Sequence, residues 1–356
     1  MINTTELEID RIIIHRVHKK RDEEDFGFAE YSENLFSFGV LELETLKDRI
    51  ATAFSKTKRF FKLEIAHSEN NSFYGYSRNL KGCSAADFIT NSKSIADLLA
   101  VSHSKKTIPA GLLLIVDGTL SNKHFVLVIK AELQEAFTIK EIDSQKLVEL
   151  INDLFLSPAK DFYKIGLIIE DSNDLIPPND LYSSYMYDDN FSSGKRDLAE
   201  YFYNSFLGFT TNKNDKLITK NFKEDFFKFV ENNVATFDDK RGLKNALTSL
   251  YRENTTGVIN PQEFAETHLP ENLLRLFGSE ISSNYPHSFV KDLSLVDRSL
   301  DRGHIKLVDD LKIEGPIDSI DNVTISNAAN FDVERLRMQI ESGEIKQIVT
   351  IKTEQS

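Results

Sequence analysis

The residues that most resemble a hydrolytic centre in this sequence are acidic and basic groups at the ends of apolar segments. Two-metal hydrolysis of a phosphodiester needs a few carboxylates and a lysine around one strand. Asp117 and Lys130 end two neighbouring apolar segments, and Glu170 and Asp171 end a third. A nuclease core of the restriction type would place an acidic residue two positions before its lysine, where this chain has Val128. No lysine follows Glu170 at the required position, so the pattern does not favour a nuclease.

Other catalytic and ligand-binding patterns are absent from the sequence. There is no GxxxxGK[ST] or GxGxxG phosphate loop and no HExxH, GxSxG or paired CxxC motif. Cys83 is the only cysteine, which excludes an intrachain disulfide, and no activating constellation accompanies it. His15 and His18 lack a matching set of carboxylates, so they indicate a basic strand end rather than a metal site. We expect a protein that is not an enzyme and has no catalytic residue, cofactor or metal.

A locally basic segment, residues 195–252, lies in an otherwise acidic chain. It contains eleven Lys and Arg against eight Asp and Glu, whereas the net charge of the whole chain is −13. Cations spaced over helices and their loop can contact successive phosphates. Lys195 and Arg196 begin a predicted helix, where the helix dipole disfavours cations, so an external anion would suit them. The predicted DNA-binding residues are Lys195, Arg196, Lys213, Lys216, Lys220, Lys223, Lys240, Arg241, Lys244 and Arg252.

The same segment also fits a set of solvated helix faces around an aromatic core. Phe222 and Phe226 follow the helical period, which favours packing in a core over stacking on bases. The acidic total argues against a protein that coats DNA generically, but it allows local DNA contacts and equally allows a protein partner.

Length and composition are those of a folded protein with room for two or three domains. The chain has 356 residues, of which 40% are hydrophobic and 28% charged, as is ordinary for a folded soluble protein. No run of about eighteen apolar residues could span a membrane, and the N-terminal residues lack a signal-peptide layout. We therefore expect a cytoplasmic protein with no membrane partner.

The N-terminal elements predict a sheet with helices. β-branched residues predict a strand at 7–17, and helical spacing predicts helices at 41–54 and after Ser84, which can act as an N-cap. Short polar links join three further strands, which favours an antiparallel meander covered by helices on at least one face. These strands are GLLLIVDG, HFVLVIKAEL and AFTIKEI, and a helix near SQKLVELINDLFL and a strand KIGLIIE follow them.

The C-terminal half predicts helices and then a small mixed segment. Helix starts are predicted at Asn221, Asp238, Asn260 and Pro270, and Gly278 can end the last helix. Strands are predicted in HIKLVDDLKIEG and QIVTIKTE, with a helix in FDVERLRMQIESG between them.

The fold class is therefore α+β, with a mainly antiparallel sheet and helices first, then a helical region and a small α+β C-terminal part. We predict domain limits at 1–170, a linker at 171–194, a helical region at 195–284 and a C-terminal segment at 285–356.

Several segments, taken in their order along the chain, resemble a bacterial family. They are IPAGLLLIVDG, FVLVIKAEL, the IPP at 176–178, EYFYNSFLGF and TKNFKEDFFKFV, and their order is similar to that in the 37-kDa nucleoid-associated proteins, the NdpA and YejK family. The resemblance spans residues 5–340. It implies a cytoplasmic, nucleoid-associated protein that binds DNA and contacts type II topoisomerases, without enzyme activity or cofactor. The matching FLGF at 206–209 and TKNF at 219–222 imply helix-end and packing positions, where Gly208 can close a helix in the left-handed conformation.

Three hypotheses remain open at this point. In the first, the chain binds double-stranded DNA through the basic segment, electrostatically and with tolerance of sequence. In the second, it is an acidic interaction module that reaches the nucleoid through a partner such as a type II topoisomerase. A third is a DNA-sensing component of phage defence. A homodimer fits a protein that grips a two-fold polymer.

Overall fold

A computed structural model gives the arrangement of most of the chain. It describes residues 6–21, 24–132, 164–171, 181–192, 198–285, 287–296 and 300, residue 237 by its backbone, and the strands at 302–306 and 312–316 by their backbone. The predicted strand AFTIKEI, the predicted helices near SQKLVELINDLFL and FDVERLRMQIESG, and the predicted strand QIVTIKTE lie outside these residues.

Eight strands form one sheet in which every recorded pairing is antiparallel. The order across the sheet is β2-β1-β4-β5-β6-β7-β3-β8. This arrangement confirms the α+β class and the mainly antiparallel sheet. The strands are β1 (Leu7–Val17), β2 (Ala29–Glu30), β3 (Phe60–Ile65), β4 (Gly111–Leu120), β5 (Lys123–Glu132), β6 (Lys164–Glu170), β7 (Tyr182–Asp188) and β8 (Phe209–Thr210).

A two-residue turn joins β4 to β5 at the centre of the sheet. Ser121 and Asn122 have φ angles of 51° and 63°, which suits the tight turns that match the twist of a hairpin. Leu120 pairs with Lys123 across this turn. The register then continues along both strands, so the hairpin fixes which side chains point to each face of the sheet.

Helices cover both faces of the sheet, whereas the sequence predicted cover on at least one. Helix α1 (Val40–Ser55) packs Leu46, Ile50 and Phe54 against one face. The other face is covered by α2 (Phe73–Leu80), α3 (Ala85–Ser102) and a π-helical segment at Tyr201–Phe206. The Ser84 hydroxyl accepts a hydrogen bond from the Asp87 amide and caps α3, as predicted. Nearly continuous apolar strands are thus buried on both faces.

The second half of the chain forms a helical region with its own phenylalanine core. Its members include Phe222, Phe226, Phe229, Phe264, Phe277 and Phe289. The burial of Phe222 and Phe226 confirms that they are core residues. The elements are α4 (Asp215–Asn233), α5 (Phe237–Glu253), α6 (Pro261–His268), α7 (Glu271–Glu280) and the strands β9 (Val258–Ile259) and β10 (Phe289–Val290).

Helix α4 connects this core to the sheet. Its Leu217 belongs to the core beneath α3, whereas Phe222, one turn later, belongs to the phenylalanine core. Tyr251 of α5 donates a hydrogen bond of 2.8 Å to the Thr219 carbonyl, between these two positions. The 19 residues of α4 therefore hold the helical region and the sheet together.

Two of the predicted helix starts are wrong. Asn221 lies inside α4, because Asn214 caps that helix by accepting from the Leu217 amide. The Asn214 side chain also donates to the Lys62 carbonyl at 2.7 Å, so a contact distant in sequence selects the cap. Asp238 lies in the first turn of α5, where the Thr236 side chain is the cap.

Other predicted ends agree with the structure in part. Asn260 caps α6 and Pro261 begins it, and Pro270 directly precedes α7, all as predicted. Gly278 lies inside α7, which continues to Glu280, so its predicted role as the helix end is wrong. Gly208 has a φ of +66° after the π-helical segment, which confirms the left-handed conformation.

Strand β7 falls inside the segment predicted as a polar linker, residues 171–194. It pairs with β6 and β3, and its polar character has a structural cause. Ser184 donates to the Leu63 carbonyl at 2.9 Å, and Ser183 donates to Asp171. The domain limits as such stay a prediction.

β11 (Arg302–Lys306) and β12 (Lys312–Pro316) pair antiparallel. β11 begins two residues before the predicted strand HIKLVDDLKIEG (304–315), and β12 ends one residue after it, so parts of two strands occupy a segment that was predicted as one. Within the described residues, no helix is long and apolar enough to cross a membrane.

Candidate nucleic-acid interface

The predicted DNA-binding residues that the structure describes fall into two groups along α4 and α5. Lys213 and Lys216 lie at the start of α4, beside β3. Lys220, Lys223, Lys240, Arg241 and Lys244 lie farther on, where α4 and α5 contact each other, and Arg252 is near the end of α5. Lys195 and Arg196 lie outside the described residues.

Lys216 binds the backbone of a distant turn. Its ammonium donates to the carbonyl oxygens of Thr57 and Phe60, at 2.9 Å each, and lies 4.7 Å from the centre of the Phe61 ring. Burial lowers the pKa of Lys216, and Asp292 partly offsets that effect. The side chain therefore fastens α4 to the turn before β3.

Lys213 lies at the surface of the same corner. Its side chain is 76% exposed, and its ammonium is 2.9 Å from a carboxylate oxygen of Glu64 on β3. An exposed pair of this kind contributes little to stability. A phosphate group could therefore replace Glu64 as the partner of Lys213 at small cost.

Three lysines gather around Phe227 and Glu231, namely Lys223 of α4 and Lys240 and Lys244 of α5. We call these five residues the α4–α5 cluster. Lys240 donates to Glu231 at 3.1 Å, and Lys244 donates to the other carboxylate oxygen. The ammonium groups of Lys223 and Lys244 lie 4.8 and 5.5 Å from the centre of the Phe227 ring. The negative face of an aromatic ring attracts ammonium groups that lie beside it.

The charges of the cluster shift each other's protonation. Burial alone would raise the pKa of Glu231, but the hydrogen bonds from Lys244 and Lys240 bring it below the ordinary value. Burial lowers the pKa of Lys223 to about 8, with Glu224 opposing and Lys244 reinforcing that shift. Near neutral pH the cluster thus holds an ionised Glu231 between cations.

Two of the predicted contacts are too buried to face an external phosphate. The Lys220 side chain is 2% exposed and donates to Glu224 at 2.6 Å. Lys223 is 8% exposed. Both lie beside the face of α4 that packs toward the core. Phe226 and Phe227 follow Lys223 by three and four residues, which is the helical spacing of neighbours on one face.

The two arginines are engaged as well. Arg241 is paired with Asp238 at 3.2 Å within α5, and Arg252 donates to the Leu300 carbonyl at 2.6 Å. Lys228, which the set of predicted sites omits, is exposed on the outer face of α4. The helical period could have found it, since Asn221, Glu224 and Lys228 alternate with the buried phenylalanines.

A second basic segment, which the sequence analysis missed, lies against the start of α4. Residues 56–62, the basic turn, include Lys56, Lys58, Arg59 and Lys62 and no acidic residue. Lys58 and Lys62 are exposed. The signal was visible in the sequence as four cations within seven residues.

Lys130 lies apart from the carboxylates considered for a nuclease, of which Asp117 and Glu170 line one cavity. Asp117 pairs with Arg11, and β4–β5 register places Asp117 opposite Val126 but Lys130 opposite Leu113, toward the other end of the strands. Lys130 is buried and donates to the Tyr201 hydroxyl at 3.0 Å.

Cys83, His15 and His18 each contact other residues of the fold. The Arg11 guanidinium donates to the Cys83 carbonyl at 2.8 Å, at the edge of a cavity of about 440 Å³. His15 contacts the Ser92 hydroxyl at 2.9 Å, and His18 contacts Glu30 at 3.1 Å. No group of three or more metal-ligating side chains is found in the part of the chain that the structure describes.

Comparison with known proteins gives a match over nearly the whole chain. The family model NA37, described as nucleoid-associated protein YejK, matches residues 13–354. No curated protein matches the chain.

Proposed function

The chain belongs to the nucleoid-associated protein YejK family, and from this we propose that it binds double-stranded DNA in the bacterial nucleoid without catalysing a reaction. The family accounts for the nucleoid role. The binding itself would be electrostatic, through phosphates rather than base edges.

The observation that carries this proposal is the convergence of cations at the α4–α5 cluster. Lys240 and Lys244 share one carboxylate, Glu231, and Arg241 and the exposed Lys228 lie on the same two helices. Two cations on one carboxylate leave one positive charge unmatched within this group, on side chains that are 25% (Lys240) and 15% (Lys244) exposed. A phosphate oxygen accepts charge-assisted hydrogen bonds from an ammonium group, as a carboxylate oxygen does.

Glu231 acts in this proposal as a stand-in for phosphate. It holds Lys240 and Lys244 in place when DNA is absent, which lowers the entropy cost of ordering two long side chains on binding. It also competes with DNA for the same ammonium groups. Replacing Glu231 by an uncharged residue should therefore strengthen binding.

The test is fluorescence anisotropy of a labelled DNA duplex across a series of salt concentrations. The wild-type protein should bind saturably, and the slope of log K against log salt should be about −0.9 for each phosphate contacted. The fourfold variant Lys228→Gln, Lys240→Gln, Arg241→Gln, Lys244→Gln should bind more weakly with a shallower slope. Glu231→Gln should bind more tightly.

The control is Arg275→Gln on α7, which removes one exposed cation paired with Glu271 within one helix. Circular dichroism should show that every variant is folded. If the wild-type protein shows no salt-dependent binding at low salt, the proposal is wrong. If it binds but the fourfold variant matches the control, the DNA contacts lie elsewhere on the chain.

A second candidate follows from the acidic net charge of −13. In this alternative, the chain reaches the nucleoid through a basic surface of a protein partner, for which a type II topoisomerase is the expectation. Purified protein would then leave DNA unbound at physiological salt and would bind purified topoisomerase subunits. Light scattering of the same preparation would test the expected homodimer.

A further inference from the structure

The basic turn, residues 56–62, is held in one conformation by contacts from several elements. The amide of Arg59 donates to the Lys56 carbonyl at 2.8 Å, and the Arg59 side chain donates to Asp189 at 2.5 Å. Lys216 adds its two hydrogen bonds to backbone carbonyls of the turn. A preformed backbone lowers the entropy cost of binding a partner.

The exposed lysines of the turn differ in their partners from three lysines of α4 and α5. Lys240 and Lys244 are bound to Glu231, and Lys220 to Glu224. Across the described residues, no ion pair joins an acidic side chain to Lys58 or Lys62. An incoming phosphate would therefore not have to displace a carboxylate from either ammonium group.

A third exposed cation lies near Lys62. Lys213 precedes α4, and the neighbouring Asn214 donates to the Lys62 carbonyl at 2.7 Å. The pairing of Glu64 with Thr210 brings the same two segments together in the sheet. The corner formed by β3, β8 and the start of α4 thus presents cations from two distant parts of the sequence.

The spacing of the two lysines suits the backbone of a duplex. Lys62 follows Lys58 by four positions in the chain, a length that spans at most about 14 Å. One strand of a duplex carries a phosphate for about every 3.4 Å of helix axis. The two ammonium groups can therefore reach different phosphates of one strand.

We infer that the basic turn is a phosphate-binding surface for double-stranded DNA, with Lys58 and Lys62 as its contact residues and Lys213 beside them. This inference rests on the proposed function and adds a surface, on the sheet, that the basic helical segment does not include. Binding here would be independent of base sequence, because contacts to phosphates carry no sequence information.

The test compares two double variants of the full chain by the same anisotropy titration. Lys58→Gln with Lys62→Gln removes the two proposed contacts. Lys105→Gln with Lys106→Gln removes two other exposed lysines and matches the change in net charge. We expect the first variant to bind less tightly and its salt slope to become shallower by about 1.8, while the second keeps the wild-type slope.

Each outcome separates this inference from the proposed function. Wild-type binding with an unchanged slope in the Lys58→Gln, Lys62→Gln variant overturns the inference and leaves DNA binding in place. Equal losses in both double variants also overturn it, because the effect would then be one of net charge. If the Lys58→Gln, Lys62→Gln variant loses binding and the fourfold variant of α4 and α5 does not, the inference stands. The proposed site on α4 and α5 is then wrong. Absence of wild-type binding overturns both.

Discussion

The ammonium group of Lys216 on α4 donates a hydrogen bond of 2.9 Å to the carbonyl oxygen of Phe60, the first residue of β3. The sequence predicts Lys216 as a phosphate contact, but in the structure this side chain joins the helical region to the sheet. A basic residue in a basic segment can therefore stabilise the fold instead of contacting DNA, and its neighbours in the structure decide which.

Lys216→Met should destabilise the protein. The substitution keeps an apolar side chain of similar length but leaves the carbonyls of Thr57 and Phe60 without this donor, which should lower the free energy of unfolding by about 1–3 kcal/mol. Urea denaturation measures the change. Lys213→Met, which removes only an exposed ion pair, is the control and should cost less than about 1 kcal/mol. Equal stability of the two variants would contradict the structural role.

His15 should make stability depend on pH in mildly acidic solution. The Ser32 amide donates to Nδ1 of His15 at 3.1 Å, so the neutral ring carries its proton on Nε2, which faces Ser92. Burial lowers the pKa of His15 to about 4, with Lys93 adding to the shift and Glu33 opposing it. The unfolded chain, with an ordinary pKa near 6.5, therefore binds more protons between pH 6.5 and 4.

The sign of the effect follows from this difference in protons. The contribution of His15 is fully present above pH 6.5 and is lost as the pH falls toward 4. His15→Gln should therefore show a smaller fall in the free energy of unfolding between pH 7 and pH 4.5 than the wild-type protein. Identical pH profiles would show that His15 does not titrate as the geometry requires.

Lys130 should produce a pH dependence of the same sign in alkaline solution. Burial lowers its pKa to about 7, with Glu132 opposing and Lys164 reinforcing the shift. The unfolded chain keeps a pKa near 10.4, so it binds more protons across the window from 7 to about 10. Stability should rise with pH through that window.

The variant Lys130→Met should lose this part of the pH dependence. Its melting temperature should therefore change less between pH 7 and pH 9 than that of the wild-type protein. The hydroxyl of Tyr201 does not titrate there, because burial raises its pKa well above the ordinary value. A wild-type protein whose stability is flat or falls over this range, relative to the variant, would refute the prediction.

Gly208 should not tolerate a side chain. Its φ of +66° belongs to the left-handed region, and an added Cβ would lie 2.8 Å from the Cβ of His67. Gly208→Ala should therefore lower the free energy of unfolding by about 1–2 kcal/mol or more. Gly278→Ala, inside α7 with no atom within 4 Å of the added Cβ, should instead stabilise the protein by up to about 1 kcal/mol. Denaturation of the two variants side by side makes the comparison.

Local patterns in the sequence predicted the elements that depend on local physics. The apolar runs of β4 and β5 and the helical period of Phe222 and Phe226 were sufficient, because burial of those side chains determines both. Strand β7 was missed, since Ser183 and Ser184 interrupt its apolar pattern and bond to groups elsewhere in the fold.

The candidate site was less predictable for a related reason. Counting cations located the basic segment, but the partner of Lys216 lies 156 residues away at Phe60 and leaves no local trace. The burial of Lys223 could have been predicted from the sequence, because Phe226 and Phe227 follow it at helical spacing. The exposed cations of the basic turn required only a count over a shorter window.

The position of β3 between β7 and β8 has a consequence for how the chain is made. Leu63 of β3 is synthesised 121 residues before Ser184, whose side chain bonds to it, and β8 follows later still. Both hydrogen-bonding edges of β3 therefore remain open while more than a third of the protein emerges from the ribosome. Pairings so distant in sequence form slowly, and an open strand edge invites wrong pairing with other chains. The newly made chain thus has an interval in which it depends on protection from aggregation, and that interval ends only when the segment around residue 210 has been released.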